Sequence, residues 1–64
     1  MLAALKELPE SYRAAVWMCD VEDLSYQAAS DALGVPVGAV KSRHARGRTK
    51  LRAVLAKQRA QEEA

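Results

Sequence analysis

The chain has 64 residues, of which 50% are hydrophobic and 28% charged, and its formal net charge at pH 7 is +2. A chain this short forms one domain at most and has little room for an active site, so we expect it not to be an enzyme and to have no small-molecule substrate. A single cysteine and a single histidine exclude an internal disulfide and a structural zinc site, and they predict neither metal nor cofactor. No apolar run approaches the length of a membrane span and no signal peptide is visible, which predicts a cytoplasmic protein.

Two helices are predicted in the N-terminal third of the chain. Leucines recur every third residue over 2–8, as in one short helix, and Pro9 suits the first position of the next helix because a proline has no N–H to leave unpaired. From Tyr12 to Cys19, small and apolar residues share one face at helical spacing. We expect this second helix to end in the acidic stretch 20–23.

The following segment predicts a helix-turn-helix. Ser25 is a good N-cap for a third helix, and Gly34 suits the left-handed turn that ends it. A fourth helix is predicted from near Pro36 to about residue 58. The expected fold is therefore all-α: a compact helical domain of about four helices with a helix-turn-helix over residues 1–58, followed by a frayed tail over 59–64.

Charge is strongly segregated along the sequence. Residues 32–61 contain eight Lys or Arg and no Asp or Glu, whereas the rest of the chain has two basic residues and eight acidic ones. A long cationic helix that follows a helix-turn-helix favours DNA as the partner. The alternative, an ordinary solvated helix face, explains less well the lack of compensating acids over thirty positions.

A helical projection sorts the fourth helix into two faces, at about 100° per residue. The inward face is predicted to hold Val37, Val40, His44, Gly47, Leu51, Val54 and Leu55. The outward face is predicted to hold Ala39, Ser42, Ala45, Arg46 and Thr49, flanked by Lys41, Arg48 and Arg52 on one side and by Arg43 and Lys50 on the other. Small and hydroxyl side chains allow a helix to approach base edges, and the flanking cations can reach the phosphates on both walls of the groove.

Taken together, these residues resemble region 4 of bacterial extracytoplasmic-function sigma factors, over roughly residues 2–55. The resemblance rests on Leu8-Pro9-Glu10, Arg13, Leu24-Ser25-Tyr26, the run from Leu33 to Gly38, Val40-Lys41-Ser42-Arg43, Arg46-Gly47-Arg48 and Leu51-Arg52. It implies a compact helical domain that recognises the upstream (minus-35) promoter element and docks on the β flap of RNA polymerase, often under the control of an anti-sigma factor. The family's region 2 is missing, so the resemblance also implies a domain cut from a longer factor.

The resemblance implies DNA contacts from the recognition helix and from Tyr26, which would touch the DNA backbone. The projection independently places Ser42 and Arg46 outward, and Arg43 and Arg48 are interpreted as phosphate or interface residues. The predicted DNA-binding set is Tyr26, Lys41, Ser42, Arg43, Ala45, Arg46, Arg48 and Thr49.

Several residues depart from the family's pattern. His44 stands where a large aliphatic is usual, and we interpret it as a partly buried neutral histidine bonded to a backbone group, so that His44→Leu should raise stability. Cys19 is interpreted as a small buried apolar residue, because a redox sensor would need neighbouring cations rather than an acid. Ala29 and Ala32 replace bulkier residues and predict a core short of methylenes.

A core this small is expected to leave apolar surface for a protein partner, either the β flap or an anti-sigma factor. The predicted partner surface comprises Leu2, Leu5, Val16, Trp17, Val54 and Leu55. Trp17 and Met18 are interpreted as core or partner surface rather than as a platform for stacking bases. Two alternatives stay open: the DNA-binding output domain of a response regulator, and a protein-interaction module whose DNA binding is vestigial.

Overall fold

A computed structural model describes the backbone of residues 2–63 and the side chains of residues 3–60. Its helices are α1 (Leu2–Leu5), α2 (Glu10–Val16), α3 (Tyr26–Leu33) and α4 (Val37–Glu63). Trp17–Val21 continues α2 as one π-helical turn, and the described residues contain no strand. The prediction of an all-α domain of about four helices with a helix-turn-helix is confirmed.

α2 begins one residue later than the sequence suggested. Pro9 is the N-cap, with an extended backbone at φ −54° and ψ 145°, and its carbonyl accepts the N–H of Arg13 at 2.9 Å. The prediction that Pro9 is the first helical residue was wrong by one position. Its physical basis still holds, since a proline at the cap likewise leaves no N–H unpaired.

The helical segment that begins with α2 ends in the acidic stretch, as predicted, and its last turn is the π-helical one. The N–H of Glu22 reaches back five residues to the carbonyl of Trp17 at 3.0 Å, and the N–H of Leu24 bonds the carbonyl of Met18 at 2.9 Å. Asp23 follows with φ +59°, the left-handed region that favours glycine. These bonds and the left-handed residue end the helical segment before Ser25, the N-cap of α3.

Local hydrogen bonds define both ends of α3 as predicted. The hydroxyl of Ser25 accepts the N–H of Ala28 at 3.1 Å, which caps the N-terminus. Gly34 adopts φ +69°, and the N–H groups of Gly34 and Val35 bond the carbonyl of Ser30 at 2.9 and 3.3 Å. The Ser30 hydroxyl also donates to the carbonyl of Val35, and this side-chain hydrogen bond stabilises the turn between α3 and α4.

The core is built where α1 and α2 pack against the middle of α4. Its main cluster consists of Ala4, Leu5, Leu8, Val16 and Leu51, with Trp17, Val54 and Leu55 packed against it in half-buried positions. Leu5 and Val16 are only 2% and 0% exposed. The expectation that these two side chains form exposed apolar surface was therefore wrong, because α1 folds onto the inward face of α4 and closes over them.

The inward face of α4 matches its prediction. Val40, His44, Gly47 and Leu51 are buried, and Val37, Val54 and Leu55 are half-buried. In α3, Ala29 is buried and Ala32 is exposed. Only one of the two alanines therefore removes volume from the core.

α2 and α4 pack closely at Gly47. A Cβ atom at Gly47 would lie 2.5 Å from Cγ2 of Val16 and 3.1 Å from the carbonyl oxygen of Tyr12. These distances leave no space for a side chain, so the glycine permits the packing of the two helices. The sequence placed Gly47 inward without revealing this close approach.

α4 has 27 residues and ends at Glu63, beyond the end expected near residue 58. The division into a domain over 1–58 and a tail over 59–64 stays a prediction. Across the residues the structure covers, no helix is both long enough and apolar enough to cross a membrane.

Candidate nucleic-acid interface

The outward face of α4 presents a polar strip to solvent. Ser42, Ala45, Arg46 and Thr49 are exposed on it, whereas Ala39, near the start of the helix, is half-buried. The hydroxyl of Thr49 donates to the carbonyl of Ala45 at 3.1 Å, so its lone pairs stay free to accept a hydrogen bond. The strip has short side chains around one long cation, Arg46, which is a suitable shape for entering a groove.

Cations flank this strip on both sides. Lys41, Arg48, Lys50 and Arg52 are exposed, and Arg43 is half-buried. Two of the lysines lie above aromatic rings of neighbouring helices, since Nζ of Lys41 is 5.9 Å from the ring centroid of Tyr26 and Nζ of Lys50 is 5.9 Å from that of Tyr12. At this distance a cation–π attraction of about 0.5–1 kcal/mol restricts where each ammonium lies.

His44 is buried on the opposite side of α4, and both of its ring nitrogens have side-chain partners. Nδ1 lies 2.9 Å from the hydroxyl of Tyr26, and Nε2 lies 3.0 Å from Oδ1 of Asp20. The prediction of a backbone partner was wrong. The ring connects α4 to the start of α3 and to the π-helical turn, and the stabilising effect expected from His44→Leu loses its basis, because that substitution breaks two hydrogen bonds.

Tyr26 is half-buried at the first position of α3, and its hydroxyl points at His44 rather than into solvent. Its ring lies edge-on to the imidazole, with the centroids 5.6 Å apart. The resemblance implied that Tyr26 touches the DNA backbone. In the structure the hydroxyl is part of an internal hydrogen-bond network, so any contact with DNA involves the ring edge or the hydroxyl's remaining acceptor capacity.

Arg48 has an acidic neighbour that the sequence did not predict. Its Nε lies 3.8 Å from Oδ2 of Asp20, the carboxylate that also faces His44. Asp20 belongs to the π-helical turn and is 28 residues away in sequence. No signal in the sequence pairs these two residues, because only the packing of that turn against α4 brings them together.

Cys19 sits beside this network. It is half-buried, and it lines a small pocket together with Leu24, Ser25, Tyr26 and His44. Partial burial, and then the negative charge of Asp20, raise the pKa of the thiol above its ordinary value. The thiolate is therefore disfavoured at neutral pH, as expected of an apolar role, but Cys19 is half-buried and not buried as predicted.

Away from α4's outward face, a shallow groove runs between α1 and α2. Its lining residues are Leu5, Lys6, Glu10, Arg13, Ala14, Trp17 and Met18. Trp17 is half-buried there, and its indole N–H donates to Oε1 of Glu22 at 2.9 Å. Of the predicted partner surface, Trp17, Val54 and Leu55 keep accessible area, and the side chain of Leu2 lies outside the described residues.

Comparison with known proteins finds sigma factors among the relatives of this chain. The family described as "Sigma-70, region 4" matches residues 1–51. The chain is 54% identical over 55 residues to the ECF RNA polymerase sigma factor SigE of Mycolicibacterium smegmatis, and the aligned region covers 86% of this chain and 21% of the relative. It is 42% identical over 53 residues to the RNA polymerase sigma factor SigZ of Bacillus subtilis, and here the aligned region covers 83% of this chain and 30% of the relative. The chain thus spans less than a third of either relative.

Proposed function

Since the chain belongs to the sigma-70 region 4 family, as region 4 of an extracytoplasmic-function sigma factor, we propose that it recognises the upstream (minus-35) promoter element and docks on the β flap of RNA polymerase. α4 lies in the major groove of the promoter, and α3 supports it across the DNA backbone. The DNA contacts come from the set predicted above, in which Arg43 and Arg48 are phosphate or interface residues. Sequence is read by Ser42 and Arg46, while Lys41 anchors a phosphate.

One observation carries this proposal: Ser42, Ala45, Arg46 and Thr49 form a continuous exposed strip on a helix that is anchored by its opposite face. Buried Val40 and Leu51 fix the rotation of α4 about its own axis, and therefore decide which side chains point at the bases. Arg46 is in the middle of the strip. An arginine there can donate two parallel hydrogen bonds to one guanine, which is the commonest specific contact in DNA recognition.

The test compares Arg46→Ala with Lys41→Ala on a set of promoter duplexes that differ at single base pairs. Arg46→Ala should relax the preference at one position and cost about 1–3 kcal/mol of binding free energy on the preferred sequence. Lys41→Ala should weaken all duplexes alike and lower the salt dependence of binding by about one phosphate contact. Binding is measured by fluorescence anisotropy at several salt concentrations.

Lys57→Ala is the matched control, since it removes an exposed cation from the same helix at a position away from the strip. It should leave base preference intact. If Arg46→Ala and Lys57→Ala give the same binding profile, α4 does not read bases through Arg46 and the assignment of the recognition helix is wrong.

Docking on the β flap uses the apolar side of the domain. Trp17, Val54 and Leu55 keep part of their surface open beside the core, and the groove between α1 and α2 continues this apolar area. Large apolar side chains next to a shallow groove are typical of sites that accept a partner's helix. Trp17→Ala should therefore weaken binding to core polymerase while leaving binding to free promoter duplex unchanged.

We propose in addition that an anti-sigma factor covers this apolar surface and extends over part of α4. Arg46 is exposed on the far side of α4 from the core, so an inhibitor confined to the groove would leave it open. The inhibitor should exclude promoter DNA in a competition titration. A ternary complex with undiminished DNA affinity would refute occlusion.

Of the two alternatives, the response-regulator output domain is not supported by the two relatives described above, both of which are named sigma factors. The protein-interaction module remains an outcome of the experiments. A complete lack of DNA binding, even when the whole factor is bound to core polymerase, would favour it.

A further inference from the structure

The carboxylate of Asp20 faces two residues of α4 at once. Its Oδ1 lies 3.0 Å from Nε2 of His44, and its Oδ2 lies 3.8 Å from Nε of Arg48. These two residues are four positions apart, so they are neighbours on the same edge of the helix. One carboxylate therefore spans one turn of the proposed recognition helix.

Asp20 is held in this place by a buried ring. A carboxylate only accepts hydrogen bonds, so Nε2 of His44 carries a hydrogen and donates it to Asp20. Nδ1 of the same ring lies 2.9 Å from the hydroxyl of Tyr26. With both ring nitrogens engaged and the side chain 10% exposed, His44 fixes the carboxylate beside Arg48.

Arg48 is otherwise well placed for a DNA phosphate. Its side chain is 52% exposed, and it flanks the strip that contains Ser42 and Arg46. Its guanidinium faces Asp20 through Nε, and the side chain of Asp20 is only 32% exposed and is bonded to His44. The phosphate therefore competes with an anion that the protein itself supplies.

We propose that Asp20 acts as an internal substitute for a DNA phosphate, withholding Arg48 from the DNA and thereby limiting how many phosphates α4 binds. The inference rests on the proposed DNA binding by α4 and goes beyond it. It assigns an acidic residue, outside the helix-turn-helix, to the control of DNA affinity. Arg48 contributes a full phosphate contact only when a substitution removes the charge of Asp20.

Asp20→Asn tests this directly. The amide keeps an oxygen that can accept the Nε2–H of His44 while removing the charge that faces Arg48. The matched control is Asp23→Asn, which makes the same change of charge three residues further along. Asparagine tolerates the left-handed backbone at that position, and among the side chains the structure describes Asp23 forms no ion pair.

Binding of the 64-residue chain to a fluorescein-labelled duplex of random sequence is measured by anisotropy from 50 to 200 mM salt, because phosphate contacts do not depend on sequence. Each phosphate contact changes the slope of log K against log salt by about 0.9. One additional contact in Asp20→Asn therefore makes its affinity fall about 3.5-fold more than that of the wild type over this range. Asp23→Asn should show no such steepening.

Arg48→Gln completes the experiment. It should change the slope little in the wild-type background and should remove the extra slope from the Asp20→Asn background. Equal slopes for Asp20→Asn and Asp23→Asn would overturn the inference, as would a wild type that loses a full contact with Arg48→Gln. Should Asp20→Asn fail to fold by circular dichroism, Arg48→Gln in the wild-type background decides alone.

The experiment also separates this inference from the function on which it rests. A wild-type chain with no salt-dependent DNA binding would overturn both. A wild type that binds with a clear salt slope, but whose Asp20→Asn variant behaves like Asp23→Asn, would overturn the role of Asp20 alone.

Discussion

Replacing each of the three glycines by alanine should give three different outcomes, because the structure places them in three different environments. At Gly47 the new Cβ would lie 2.5 Å from Cγ2 of Val16, a side chain that is 0% exposed. Overpacking of this kind costs about 1–3 kcal/mol. Alanine in place of glycine within a helix returns about 1 kcal/mol, so the expected net loss for Gly47→Ala is about 1 kcal/mol.

Gly38→Ala is the internal control on the same helix. Gly38 is exposed, and its added Cβ would meet nothing within 4 Å. With no steric cost, only two effects of the substitution are left: alanine prefers the helix, and it reduces the conformational freedom of the unfolded chain. The free energy of unfolding should therefore rise by about 0.5–1 kcal/mol. Gly34→Ala should instead lose about 1 kcal/mol, since φ +69° is unfavourable for any residue with a Cβ.

The assay is thermal unfolding of the 64-residue chain, followed by circular dichroism of the helical signal. For a domain of this size, 1 kcal/mol shifts Tm by about 4–8 °C. We therefore expect Gly38→Ala to melt above the wild type, and Gly47→Ala and Gly34→Ala below it. Equal increases in Tm for Gly47→Ala and Gly38→Ala would show that α2 and α4 do not approach closely at Gly47, and would refute the close packing of these two helices.

Two further substitutions test the network and the turn. His44→Leu should lower stability by about 1 kcal/mol, because Tyr26 and Asp20 both lose a hydrogen-bond partner and the added apolar burial offsets only part of this loss. The loss should be smaller in a Tyr26→Phe background. A rise in Tm would contradict the two hydrogen bonds of His44. Asp23→Gly should raise stability by about 0.5–1 kcal/mol in urea unfolding, because φ +59° strains aspartate but not glycine. An unchanged or lower midpoint would mean that Asp23 makes a compensating contact.

The local features of this protein were readable from the sequence because neighbouring residues produce them. Ser25 caps α3 through an N–H three residues away, and Gly34 ends the helix through its own backbone. The helical period likewise separated the buried face of α4 from the exposed one, and placed Ser42 and Arg46 outward. The segregation of charge follows from the order of the residues and needs no fold to be recognised.

The tertiary structure decided which groups meet across those faces. Periodicity placed His44 inward, but its partners Tyr26 and Asp20 are 18 and 24 residues away in sequence. They meet the ring only because α3 and the π-helical turn pack against α4. The same packing set Arg48 beside Asp20 and closed α1 over Leu5. A helical repeat fixes the direction of a side chain relative to its own axis. It carries no information about the distance and rotation of the next helix, on which long-range contacts depend.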